Sequence, residues 1–117
     1  MTPVSNTEID AMEQELGHKL PGLYRKLLVE EGFGSFGTRE IYDPKRITEI
    51  YGCHFEDPKD LFNRYFPFGC DNESQELWII SVADERAATI WHETHPDDYL
   101  DEDWLPYEGW ITKHLVR

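Results

Sequence analysis

The chain has 117 residues and carries 24 Asp and Glu against 11 Lys and Arg, a formal net charge of -13. That length suits one domain and excludes two independent ones, because folded domains most often run about 100–150 residues, and one of this size buries roughly two thirds of its unfolded surface. Four Trp, six Tyr and six Phe in a chain only 39% apolar predict a core of few, large side chains, while the sign of the charge argues against direct binding to DNA or RNA, whose phosphates attract Lys and Arg.

Ser5 and Glu8 are spaced as a capping box, and Ile9, Met12 and Leu16 recur at helical spacing before Gly17 stops the run. Pro21 suits the first turn of a second helix whose apolar stripe is Leu20, Tyr24, Leu27 and Leu28, closed by Gly32. Asp43-Pro44 signals a short helix with Ile47, Ile50 and Tyr51 before Gly52, and Asp57-Pro58 signals another with Leu61, Phe62 and Tyr65.

Past residue 65 the period changes. Phe66 to Phe68, Leu77 to Val82 and Ala87 to Trp91 are short runs rich in aromatic and β-branched residues, so they read as strands. The four residues 83–86 suit a hairpin that makes the last two antiparallel, and Glu40 to Tyr42 suggests an edge strand. Tyr107, Trp110, Ile111, His114 and Leu115 fall on one face of a closing helix. Helices on either side of a strand-rich middle predict a single α+β domain over residues 1–117, mainly antiparallel sheet with helices packed around it.

No apolar run approaches the ~20 residues of a membrane span, and residues 1–20 lack both the basic start and the apolar stretch of an export signal. The expectation is a cytoplasmic protein in which Cys53 and Cys70 are reduced thiols.

Motifs for chemistry are present by letter and fail by context. Gly32-Phe33-Gly34-Ser35-Phe36-Gly37 spells the dinucleotide-binding glycine pattern, but that pattern needs a strand before it and a helix after, the reverse of the order here; it reads instead as a helix-to-strand loop. His92-Glu93-Thr94-His95 with Asp97 and Asp98 offers metal-ligand types. Yet residues 92 and 95 point to opposite faces of a continuing strand, and metalloprotease histidines stand four apart on a helix. His54-Phe55-Glu56 lacks the paired cysteines of a zinc deaminase, and no serine or cysteine sits in a nucleophile motif. No catalytic centre, cofactor or metal is predicted.

The acidic stretch differs in kind. Glu93, Asp97, Asp98, Asp101, Glu102, Asp103 and Glu108 occur with no Lys or Arg from 93 to 108, interleaved with Tyr99, Trp104 and Tyr107. Carboxylates speed encounter with a basic partner and aromatics anchor it, so Glu93, Asp97, Asp98, Asp101, Glu102, Asp103 and Trp104 are the expected partner-binding residues. The alternative is a solvated loop whose aromatics, Trp104 among them, turn into the core.

Read in order, Glu13-x-x-Leu16-Gly17-x-x-Leu20-Pro21-x-x-Tyr24-x-x-Leu27-Leu28, the glycine turn at 32–37, Phe66-Pro67-Phe68-Gly69-Cys70-Asp71, the strand from Ala87 to His92 and Tyr107-Glu108-Gly109-Trp110-Ile111 resemble the SUKH superfamily along nearly the whole chain. One departure is Asn72-Glu73-Ser74-Gln75, where the family often has glycine after the Asp. The resemblance implies an α+β domain without catalytic residues that works by binding proteins. Many bacterial members are immunity proteins against polymorphic toxins, often nucleases, and fungal relatives regulate cell-wall assembly. The expected function is therefore neutralisation of a cognate toxin, a basic nuclease, by covering its active site or substrate groove. A regulatory or scaffold binding module is the alternative, and a small metal-dependent hydrolase using His92 and His95 is a third reading.

Overall fold

The structure, a computed structural model, describes residues 2–47, 49–50, 63–91, 96–99 and 101–114. Its first helix, α1 (Asn6–Leu16), begins where Ser5 Oγ accepts from the Glu8 amide at 3.2 Å and ends at Gly17, as the capping residues dictate. Glu13 then turns the chain back, one carboxylate oxygen accepting from the Leu20 amide at 2.6 Å and the other from Arg25 at 2.5 Å. Arg25 also reaches Asp10 at 3.1 Å and Asn6 at 3.2 Å, so a single guanidinium fastens α2 (Gly22–Glu30) to α1. Pro21 stands at the residue before α2 rather than inside its first turn; either place spares a helix its missing N–H. Leu23, Tyr24, Leu27 and Leu28 are the buried face of α2.

Five strands follow: β1 (Gly34–Phe36), β2 (Arg39–Ile41), β3 (Tyr65–Asp71), β4 (Glu76–Ser81) and β5 (Arg86–Trp91), all antiparallel and hydrogen-bonded in sequence order. Three expectations are corrected here. The glycine-rich segment is not simply a connecting loop but contains β1, with Gly37 at φ 65 in the two-residue turn to β2. Consequently β2 is internal, and β1 is the edge. Three-residue strands are too short for a period to register. Tyr65 likewise opens β3 instead of closing a helix. After Asp43, whose carboxylate accepts from the Lys45 amide at 3.0 Å, Pro44–Arg46 form a 3-10 turn that leads to the buried Ile47 and Ile50. The expected helix at Asp57-Pro58, with Leu61 and Phe62, and the residues Tyr51, Gly52 and Leu115 lie outside the described residues.

Between Pro67 and Gly69 the pairing with β4 shifts by one at a bulge, while Phe66 and Phe68, two apart on the strand, share a side. Both rings then pack on Tyr24, at 5.2 and 6.4 Å between centroids. Gly69 has no substitute there, because a Cβ would stand 2.5 Å from the Glu40 carbonyl oxygen and 2.5 Å from the Trp78 ring. The last helix, α3 (Tyr107–His114), drives Trp110 edge-on into Phe68 at 5.0 Å and Trp78 at 5.1 Å. Lys26 lies 4.6 Å over the Tyr107 ring, Tyr107 donates to Glu30, and Arg39 donates to the His114 carbonyl at 2.8 Å, so both ends of α3 are tied down. At the 72–75 turn, where glycine was expected from the resemblance, Asp71 accepts from the Glu73 and Ser74 amides at 3.0 and 3.5 Å, and Gln75 takes the left-handed conformation at φ 57. The fold is α+β, as expected, and no helix among the described residues is long and apolar enough to cross a membrane.

Candidate functional site

Residues 96–99 and 101–105 form an acidic strap along the outer edge of β5. Two 3-10 turns, Pro96–Asp98 and Asp101–Asp103, give it shape. Ala87 and Leu105 exchange both backbone hydrogen bonds at 2.7 Å, while the Trp91 amide donates to the Tyr99 hydroxyl at 2.8 Å. An edge strand's outward N–H and C=O groups would otherwise invite pairing with another chain. Arg86 adds a bond to the Trp104 carbonyl at 3.5 Å.

Side chains bind the strap to the sheet as well. Trp104 is 9% exposed and stacks on Tyr65, with centroids 5.8 Å apart and planes 15° from parallel. Arg64 donates to both oxygens of Asp97 at 3.2 Å, and the Tyr65 hydroxyl donates to the same carboxylate. Burial and then Asp97 itself push the Tyr65 phenol upward, which keeps it a proton donor.

The acidic residues therefore divide by role. Asp97, Asp98, Glu102 and Asp103 are all exposed along the strap, but Asp97, with the buried Trp104, also ties it to the sheet. Asp101 lies in the second 3-10 turn, and Glu93 falls outside the described residues with His92 and His95. Glu108 is 3.6 Å from Lys26 and so part of the α2–α3 contact. Among the described residues no group of three or more His, Cys, Asp and Glu could hold a metal ion.

Sequence reasoning left Trp91 out of the site. It is 48% exposed, unlike Trp78, Trp104 and Trp110. A signal did exist: continuing the β4–β5 hairpin register from Ser81 and Arg86 places Trp91 opposite Glu76, at the open end of the pair.

The sequence matches the SMI1 / KNR4 family (SUKH-1) over residues 3–113. The chain belongs to this family. No curated protein matches it by sequence. In this SUKH-1 chain the residues that carried the resemblance serve the fold: Glu13 and Gly17 turn the chain, Leu20 and Tyr24 are buried, Gly69 lets β3 approach β2, and Trp110 seats α3. Membership fits an immunity-like role with a protein partner.

Proposed function

We propose that this chain is a cytoplasmic, non-catalytic immunity protein that binds a cognate bacterial toxin, a nuclease, and occludes its active site or substrate groove. The observation that carries the reading is the acidic strap, fastened to β5 at both ends and exposing Asp98, Glu102 and Asp103. A nuclease needs a cationic groove for its polyanionic substrate, so a carboxylate ridge is complementary in charge. Because main-chain bonds to β5 already hold the strap, docking pays little to shape it. In this reading Glu93, Asp98, Asp101, Glu102 and Asp103 meet the toxin, and Asp97 and Trp104 keep them in register. Family membership supports a protein partner.

The test is co-purification with the inactivated product of the neighbouring gene, followed by affinity measurements at ~50 and ~300 mM salt. Pooled Glu93→Gln, Asp98→Asn, Asp101→Asn, Glu102→Gln and Asp103→Asn should weaken the complex at least about tenfold and flatten its salt dependence. Unchanged affinity and salt dependence would place the docking face elsewhere; a chain with no protein ligand at all ends the immunity reading.

A further inference from the structure

Register sets one row of side chains across the open end of the sheet. Arg39 of β2 stands opposite Asp71 of β3, Asp71 opposite Glu76 of β4, and Glu76 opposite Trp91 of β5. Directly opposed residues share a face. Two residues further along, the pair Trp78 and Thr89 touches Trp110 and His114 of α3, so the row lies on the α3 face, by that helix's C-terminal end. The charges of the row are unequally engaged. Arg39 Nε is 3.4 Å from Asp71, its Nη1 donates to the His114 carbonyl at 2.8 Å, and Asp71 accepts from Thr38 Oγ1 and the Glu73 and Ser74 amides. Glu76 is half-buried, and among the described residues its carboxylate has no hydrogen bond or ion pair. His114 lies within reach of its charge, but burial holds that imidazole below its usual range and leaves it neutral at pH 7. Beside this carboxylate stands Trp91, which among the described residues is the one large apolar side chain that is exposed. The Trp91 amide donates outward to Tyr99, so Glu76 and Trp91 are a non-hydrogen-bonded pair, the kind whose Cα atoms approach to about 4.5 Å and whose side chains stand closer together.

We propose that Glu76 and Trp91 together receive one arginine side chain of a basic protein partner, its guanidinium laid on the indole and bonded to the carboxylate. A planar guanidinium stacks on an indole while donating in its own plane to a carboxylate, whereas an ammonium does only part of this. An apolar partner would cover Trp91 but leave Glu76 desolvated without a counter-charge. Anionic ligands would meet Asp71 and Glu76, and a chain of net charge -13 repels them at range. Trp91 also ties this site to the strap, since its amide holds Tyr99 while its side chain lies on the α3 face, so the docking face continues around the β5 edge. The inference rests on the reading that a basic protein is the partner, and it adds a second contact beyond the strap.

Calorimetry of the full chain with hexa-arginine and hexa-lysine peptides at ~50 mM salt tests it, together with the indole N–H resonance of Trp91, assigned by its disappearance in Trp91→Leu. Hexa-arginine should bind more tightly than hexa-lysine and move that resonance. Trp91→Leu keeps apolar bulk but has no ring face, and it should weaken hexa-arginine about fivefold; Glu76→Gln should do so by a similar factor, and Trp91→Phe, which keeps a ring, by less. Unfolding midpoints confirm that the variants fold. If Asp98→Asn with Glu102→Gln abolishes binding while Trp91→Leu and Glu76→Gln do nothing and the indole resonance stays in place, the arginine site is wrong and the acidic strap alone binds. It is wrong equally if the two peptides bind alike or if no basic peptide binds. Failure of the immunity reading shows separately, as the absence of any complex with the product of the neighbouring gene.

Discussion

Glu85 Oε1 accepts a hydrogen bond from the Gly22 amide at 2.7 Å, joining the β4–β5 turn to the first turn of α2 across 63 residues. Pro21 supplies no side-chain cap, so a carboxylate from the far hairpin satisfies one of the free N–H groups and sits at the positive end of the helix. Glu85 reaches it from a left-handed conformation at φ 53. Glu85→Ala should cost about 0.5–1 kcal/mol in urea unfolding. An alanine Cβ at residue 22 would stand 2.6 Å from Glu85 Oε2. Because that atom ends a flexible side chain, Gly22→Ala should displace the Glu85 carboxylate and be near neutral in the native chain, yet stabilise by about 0.4–1 kcal/mol once Glu85 is alanine. Additivity of the two changes within ~0.3 kcal/mol would refute the contact.

Tyr24 is buried to 0% exposure with its hydroxyl donated to the Tyr42 carbonyl, which fixes α2 against the chain leaving β2. Tyr24→Phe keeps the ring contacts with Phe66 and Phe68 and leaves that carbonyl without its donor. A loss of about 1–2 kcal/mol is expected in equilibrium unfolding. No loss would mean that water replaces the hydroxyl.

Within the strap, stability and surface charge separate by residue. Asp97→Ala removes the acceptor of Arg64 and Tyr65 and should cost about 1 kcal/mol, and Trp104→Ala about 3–5 kcal/mol, whereas Asp98→Ala should change stability by less than about 0.5 kcal/mol. Denaturant midpoints of the three variants check the order. Equal effects of Asp97→Ala and Asp98→Ala would show that the Arg64 contact adds nothing.

His114 makes the fold sensitive to mild acid. Burial holds its imidazole below the usual range, Lys113 and Arg39 push the same way, and Glu76 opposes them; Thr89 Oγ1 lies 2.9 Å from Nε2. The folded chain therefore takes up this proton less readily than the unfolded one, where histidine titrates at about 6.5. Its contribution is complete above about pH 6.5 and lost as the pH falls below that value. The stability difference between the native chain and His114→Gln should thus be larger at about pH 7.5 than at about pH 5. A pH-independent difference would remove His114 from the acid response.

How far the sequence disclosed this molecule depended on how local each signal was. Ser5, Gly17 and Asp43 act on groups within a few residues, so the starts and stops they mark agree with the structure. The aromatic runs of β3 to β5 were long enough to show as strands. By contrast β1 spans three residues, and Glu85 caps a helix 63 positions away, which no window on the chain reveals. In the acidic stretch composition announced the charge but not the division of labour: Asp97 and Asp98 are neighbours of one chemistry, and only the position of Arg64 and Tyr65 tells them apart. Trp91 escaped notice because a tryptophan ending an apolar run reads as core until the register puts it opposite Glu76.

The strap is joined to β5 through main-chain groups of Ala87, Leu105 and Trp91 and through the Tyr99 hydroxyl, bonds to which neither Asp98 nor Glu102 contributes. Exchanging Asp98 or Glu102 for other polar residues leaves it intact. On the proposed docking face, recognition and folding fall to different atoms of one short segment, and descendants with altered partner preference can arise by single steps without passing through a misfolded ancestor.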